Sequence, residues 1–159
     1  YPVETLQTMV RIAERTESSI NYVNRFNHRS TASNQNCVTE AISYATCSTA
    51  HDLNAAAIVT VTKSGSTAQM IAKFRPDSPI IGCATHPHVC RQLSLCWGVI
   101  PIHTKEEQDT FELFEHSIDE AVRAGLLKEG DVAVITAGVP LGRPGTTNLI
   151  NVHVVGEEY

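Results

Sequence analysis

The sequence lacks two features that would point to a membrane or a nucleic acid. No apolar run approaches the ~20 residues that a membrane-spanning helix needs. The amphipathic first segment also lacks the apolar core of a signal peptide. The twelve lysines and arginines are scattered, and the formal net charge is -5. Because clustered cations dominate nucleic-acid affinity, we expect neither a nucleic-acid partner nor a membrane partner.

Cysteine pairs at redox or metal-binding spacing are missing as well. The five cysteines are odd in number and include no C-x2-C pair. A chain of 159 residues with 42% hydrophobic residues can bury a sizeable core without disulfides. We therefore expect reduced thiols and a cytoplasmic location. The chain begins at Tyr1 without an initiator methionine, so we expect a segment of a longer protein.

One group of potential zinc ligands does occur, in the order C-x2-H-x-H-x-C, and comprises Cys83, His86, His88 and Cys90. Cys83 ends a predicted strand while the other three begin a helix, and no second ligand pair follows at finger-like spacing. We therefore expect a buried cysteine and polar loop histidines, with no metal site. The sequence also lacks an acidic cluster typical of magnesium and a suggestive Ser/His/Asp order, so it predicts no catalytic residue.

Short β-branched runs that alternate with helical periodicity dominate the rest of the sequence. The predicted strands are 57–61, 79–83, 98–102, 132–136 and 148–155, and the predicted helices are 4–17, 35–53, 66–73, 87–95 and 105–124. Near-continuous apolar strands separated by helices indicate a parallel sheet with both faces covered. A Gly/Pro loop joins the last two strands, which makes the fifth an antiparallel edge. The predicted fold is a three-layer α/β/α domain with a five-strand, mostly parallel sheet.

Ligands of such open sheets bind beyond the carboxyl ends of the strands, and two segments lie there. The first is the run from Thr62 to Thr67, TKSGST, where a strand turns into a helix. Its hydroxyls, Lys63 and the positive end of the helix dipole suit a phosphate. A capped strand-to-helix turn needs the same Ser and Gly residues, so both interpretations stay open.

The second segment runs from Gly138 to Asn148 and is long for a hairpin connection. Arg143 within it could form a fork of hydrogen bonds to a phosphate. Long loops at ligand-binding edges are often functional, although a flexible surface loop would have the same composition.

Several of these runs together resemble the pyruvate kinase family. They are AIVTVTKSGSTAQM from Ala57 to Met70, the RP-x-x-PI turn from Arg75 to Ile80, the GVIP run from Gly98 to Pro101, Gly130-Asp131, and GRPGTTN from Gly142 to Asn148. The start of the chain, with Tyr1-Pro2-Val3-Glu4, is similar to the entry into the last helix of that family's catalytic barrel. The resemblance covers essentially the whole chain.

The resemblance implies a division of the chain and a role for each part. Residues 1–30 would be the end of the catalytic barrel and a linker, and residues 31–159 an effector-binding α/β domain that helps to form a homotetramer. The family transfers phosphate from phosphoenolpyruvate to ADP with magnesium and usually potassium. Its catalytic residues and metal ligands would lie before Tyr1, in the barrel. The resemblance therefore implies no cofactor and no catalytic activity for this chain alone.

The resemblance also implies effector contacts on both loops. These are Thr62, Lys63, Ser64, Gly65, Ser66 and Thr67 for the phosphate, and Arg143, Pro144, Gly145 and Thr146 for the closing loop. Family members activated by fructose 1,6-bisphosphate use a Trp and an Arg early in the long helix. The matching stretch, 106–113, has neither. A phosphorylated small-molecule effector with one phosphate, AMP or a sugar monophosphate, is therefore expected.

Two alternatives stay open on the sequence alone. The chain could be a stand-alone enzyme that handles phosphate esters at the 62–67 loop, which would need a general base and metal carboxylates nearby. It could also be a purely structural tetramerisation domain in which the effector site no longer functions.

Overall fold

The fold was analysed in a computed structural model, which describes residues 1–22, 24, 26, 37–107, 109–140 and 146–157. The helices are α1 (Pro2–Glu17), α2 (Val38–Asp52), α3 (Ser66–Phe74), α4 (Pro87–Leu93) and α5 (Thr110–Arg123). The strands are β1 (Ala57–Thr62), β2 (Ile80–Ala84), β3 (Val99–His103), β4 (Val132–Gly138) and β5 (Thr147–Val154). Each predicted strand is present, with its ends shifted by one or two residues at most.

The five strands form one sheet in the order β3-β2-β1-β4-β5. The pairs β1–β2, β1–β4 and β2–β3 are parallel, and β4–β5 is antiparallel. All six residues of β1 are buried, as expected for a central strand with helices on both faces. The predicted mostly parallel sheet with an antiparallel edge strand is confirmed.

Alternation along the strands divides the core into two halves. Ile58 and Val134 face one side of the sheet and pack with residues of α2, α3 and α4, among them Ile71 and Leu93. Val59, Ile81 and Ile135 face the other side and pack with Phe114 and Ile118 of α5. The sheet therefore lies between two helical layers, which confirms the three-layer prediction.

The connection from β4 to β5 is tight at its base. The register shifts between Ala137 and Gly138. A Cβ added at Gly138 would lie 2.7 Å from the backbone oxygen of Thr146, which is closer than real Cβ contacts allow. Only glycine therefore lets the two strands approach here.

The predicted helix at 105–124 starts too early. The structure begins α5 at Thr110, and residues 105–107 have no regular structure. Asp109 Oδ1 accepts hydrogen bonds from the backbone N–H of Phe111 at 2.7 Å and of Glu112 at 3.1 Å. This N-cap satisfies donors that have no acceptor within the helix, so it sets the start of α5. The proposed boundary between residues 30 and 31 lies outside the described residues.

The amphipathic helix α1 has a largely exposed surface, and its last residue, Glu17, contacts the sheet domain. None of its residues is buried, and its apolar side chains Val3, Leu6, Met9 and Ile12 are 60% to 62% exposed. In the part of the chain that the structure describes, no helix has the length and apolar character to cross a bilayer.

The connection between α1 and the sheet domain centres on Trp97. Its indole Nε1 donates a hydrogen bond to Glu17 Oε1 at 3.0 Å. The guanidinium of Arg75 lies 5.1 Å from the centre of the Trp97 ring, a distance typical of a cation–π contact. Because Trp97 holds both partners, it ties the end of α1 to the turn that follows α3.

His153 generates a pH prediction for the fold. This β5 side chain is 8% exposed, and burial lowers its pKa below the usual 6.5 despite opposing effects of Glu157 and Glu115. Between the lowered pKa and 6.5 the unfolded chain binds more protons than the folded chain. The free energy of unfolding is thus highest above pH ~6.5 and falls as the pH falls through that window.

We expect His153→Gln to reduce this pH dependence. Urea unfolding of the wild type and the variant between about pH 7.5 and about pH 5.5 measures it. His88→Gln, at an exposed position, is the matched control. An unchanged pH dependence in His153→Gln would contradict the assignment.

Candidate functional site

The loop between β1 and α3 has a rigid backbone. Thr62 Oγ1 accepts a hydrogen bond from the backbone N–H of Gly65 at 2.9 Å. Gly65 is the N-cap of α3 and has φ +85°, in the left-handed region that favours glycine. A Cβ at this position would also lie 3.3 Å from both Val89 and Leu93 of α4. The loop therefore packs closely against α4, and a larger residue at position 65 would not fit without strain.

Polar groups of this loop gather at the start of α3. The first N–H groups of an α-helix have no acceptor within the helix, and the helix dipole adds positive potential there. Ser64 is exposed and Ser66 half-buried, and their hydroxyls lie 3.1 Å apart. Gly65 carries no side chain that could cap these donors. This combination of donors is typical of an anion-binding helix N-terminus.

A hydrogen bond between two buried threonines joins this loop to β5. The Oγ1 atoms of Thr67 and Thr147 lie 2.8 Å apart, although the residues are 80 positions apart in the sequence. Thr67 is 4% exposed and Thr147 is 1% exposed. The Thr67 hydroxyl is therefore buried beneath the candidate site and already hydrogen-bonded. The group that Thr67 can offer to a ligand is its backbone N–H. From the sequence, Thr147 was part of the second segment but was not predicted to be an effector contact.

The base of the second predicted loop lies at the carboxyl end of β4, on the same side of the sheet as the loop after β1. Asn148 accepts from the Val139 backbone N–H at 2.8 Å and donates to the Val139 carbonyl at 2.6 Å. These two bonds hold the ends of the loop together, and Thr147 lies directly before Asn148 in the chain. Arg143, Pro144 and Gly145 lie outside the described residues. The contact that the structure shows between the two segments is the one from Thr147 to Thr67, and Thr146 is the chain neighbour of Thr147.

Lys63 makes an ion pair that the sequence analysis missed. Its Nζ lies 3.0 Å from Oε1 of Glu106, in the segment after β3. The hydrogen bond from Lys63 lowers the pKa of Glu106, so the carboxylate is ionised at neutral pH. The carboxyl ends of β1 and β3 lie two strand spacings apart, or about 10 Å, which two long side chains can bridge. The stretch 106–113 was compared with the family only for its lack of Trp and Arg, and the strand order is what places Glu106 beside Lys63.

The four cysteine and histidine residues at 83–90 do not converge on one point. Cys83 packs in the core half that contains Phe114, whereas Cys90 packs against the opposite half. The rings of His86 and His88 stack on each other at the surface, with centroids 5.5 Å apart. Among the residues that the structure describes, no group of three His, Cys, Asp or Glu side chains is placed so that it could bind one metal ion.

The family model and the similar proteins all point to pyruvate kinases. The family model described as "Pyruvate kinase, alpha/beta domain" matches residues 40–153. The chain is 45% identical to pyruvate kinase from Geobacillus stearothermophilus over 157 residues, which is 99% of this chain and 27% of that protein. It is 45% identical to pyruvate kinase from Sporosarcina psychrophila over 157 residues, with the same coverage, and 41% identical to the Clostridium acetobutylicum enzyme over 155 residues.

These relatives are much longer than the chain. It spans 27% of the Geobacillus and Sporosarcina proteins and 33% of the Clostridium protein. The matching domain, the identity along nearly the whole chain and the fold agree with one another, and this chain therefore belongs to the pyruvate kinase family.

Proposed function

We propose that the chain is the effector-binding and assembly domain of a pyruvate kinase, and that Thr62–Thr67 bind the phosphate of AMP or of a sugar monophosphate. The observation that carries this proposal is the hydrogen bond between Thr67 and Thr147. It holds the start of α3 beside the base of the 139–148 loop, so the two segments that suit a phosphate ester adjoin one another.

The charge distribution supports one phosphate group in preference to two. Lys63 is the cation of the loop, and the N–H groups at the start of α3 complete a site the size of one phosphate. The nearby segment after β3 contributes the carboxylates Glu106 and Glu107. A second phosphate placed toward them would meet negative charge, which supports a monophosphate effector.

The rest of the proposal concerns the parent protein. Residues 1–30 would be the end of the catalytic barrel and a linker, and residues 31–159 the effector-binding domain. The exposed apolar side chains of α1 support packing of this helix against the barrel, because such a stripe is normally buried. The parent would transfer phosphate from phosphoenolpyruvate to ADP with magnesium and potassium bound in the barrel, and would act as a cytoplasmic homotetramer.

Titration calorimetry of the 159-residue chain with AMP, ribose 5-phosphate, glucose 6-phosphate and fructose 1,6-bisphosphate tests the effector site. We expect Ser64→Ala to weaken binding of the monophosphates by ~1 kcal/mol, about fivefold, because it removes a hydrogen bond to a charged group. Ser94→Ala, at the far end of α4, is the matched control and should bind as the wild type does. Failure of all four ligands to bind would favour a purely structural domain, and much tighter binding of the bisphosphate would contradict the monophosphate assignment.

Arg143→Ala tests the closing loop, whose role is a prediction from the sequence. We expect weaker binding of AMP and sugar monophosphates, since a guanidinium forks onto phosphate oxygens. The melting temperature should stay unchanged, because two hydrogen bonds between Asn148 and Val139 hold the loop base. Unchanged affinity in Arg143→Ala would remove this residue from the site.

The chain alone should form no ATP from phosphoenolpyruvate and ADP, because the catalytic residues of the proposed parent lie outside it. A coupled assay on purified chain, with added magnesium and potassium, measures this. Co-expression with the catalytic barrel of the proposed parent should give the activity. Turnover by the isolated chain would instead favour a stand-alone enzyme that acts on phosphate esters.

A further inference from the structure

We infer that Glu106 is a specificity-determining residue of the 62–67 site, because its carboxylate and an incoming phosphate compete for the same Lys63 ammonium. This inference rests on the proposed function, since it assumes that a phosphate ester binds at this loop. It adds a residue that neither the loop sequence nor the family comparison assigns to the site. It also explains how the site can reject a ligand with a second anionic group.

The contact between Lys63 and Glu106 is specific but easily broken. Nζ and Oε1 lie 3.0 Å apart, and the residues are 43 positions apart, so helical proximity does not impose the contact. The side chains of Lys63 and Glu106 are 42% and 63% exposed, respectively. Ion pairs at such exposure contribute little to the stability of a fold, so a doubly charged phosphate can displace the carboxylate.

The backbone on both sides of Glu106 is anchored, which keeps the carboxylate near the loop. On one side Thr104 is 2% exposed, and its N–H donates to the Ala84 carbonyl at 3.0 Å. On the other side Asp109 caps α5. A carboxylate on so short a tether has a high effective concentration at Lys63 and returns to it whenever the ammonium is free. Free acetate at ordinary concentrations would compete far less well.

The charges around Glu106 favour its ionised form. The hydrogen bond from Lys63 lowers its pKa, and His86 has a smaller effect in the same direction. A displaced Glu106 remains near the site as a negative charge. It therefore repels any further anionic group on the same side of the ligand, and a bisphosphate is penalised more than a monophosphate.

The test is a titration series at low ionic strength with AMP, inorganic phosphate and fructose 1,6-bisphosphate. Glu106→Gln keeps the shape of the side chain and removes its charge. We expect it to bind AMP and inorganic phosphate about two- to fivefold more tightly than the wild type. The gain for fructose 1,6-bisphosphate should be larger than the gain for AMP. Increasing salt should reduce the difference between variant and wild type, because both groups of the pair are exposed.

Two further variants separate competition for Lys63 from a general charge effect. Glu129→Gln removes the same charge at the amino end of β4, opposite the carboxyl ends of the strands where the site lies. This variant should bind as the wild type does. In a Lys63→Gln background, Glu106→Gln should no longer tighten AMP binding, because the shared cation is gone. Melting temperatures of all variants establish that each is folded.

The outcomes distinguish this inference from the function on which it rests. If AMP and phosphate bind the wild type and Glu106→Gln equally well, the competition is wrong and the phosphate site stands. If Glu106→Gln tightens binding equally in the Lys63→Gln background, the effect is general electrostatics and the inference also falls. If neither the wild type nor Glu106→Gln binds any of the three ligands, both the inference and the proposed site are wrong.

Discussion

The parallel pairing of β1 with both β2 and β4 is the constraint on which the site depends. Thr62 lies opposite Ala84 of β2, and Thr60 lies opposite Thr136 of β4. Because these strands run in one direction, the segments that follow them emerge at the same edge of the sheet. A parallel neighbour can only be reached by a crossover, so the helix after β1 also begins at that edge with its N–H groups outward. The strand topology therefore places the positive end of the α3 dipole at the carboxyl ends of the strands.

Buried polar contacts then fix the details of that edge. Two threonine hydroxyls that are almost fully buried need partners, because an unsatisfied buried hydroxyl costs about 1–3 kcal/mol. Thr67 and Thr147 satisfy each other, and Gly138 permits the close approach of β4 to Thr146. Small residues at these positions thus hold the start of α3 and the start of β5 together.

Local patterns in the sequence predicted the elements well and the side-chain contacts between them poorly. The β-branched runs predicted every strand, since both faces of this sheet are covered and the runs are almost uninterrupted. The helix α5 was predicted to run from about Lys105 on the apolar face that begins at Phe111, but this face does not define where the helix starts, and capping by Asp109 sets the start at Thr110. The family resemblance, carried by several short motifs together, is confirmed by the domain match and the identities.

Two contacts of the candidate site could not be read from such patterns. The pair Thr67 and Thr147 and the pair Lys63 and Glu106 join segments 80 and 43 residues apart. Neither pair has a periodic signal, and each forms only because the strand order brings its segments to one edge. A sequence can suggest that edge from the alternation of strands and helices. The order of strands within the sheet is needed before particular side chains can be paired.

The site combines a rigid buried part with an adjustable exposed part, and the two parts have different physical effects. Gly65, Thr62 and the threonine pair are buried, so the hydrogen bonds among them, which shape the loop backbone, vary little with salt. Lys63 and Glu106 are exposed, and their contribution is screened and small. In the proposed site the buried framework would position the backbone donors for a phosphate. Selection among phosphate esters can come from exposed charges, which substitutions can alter with little effect on the fold.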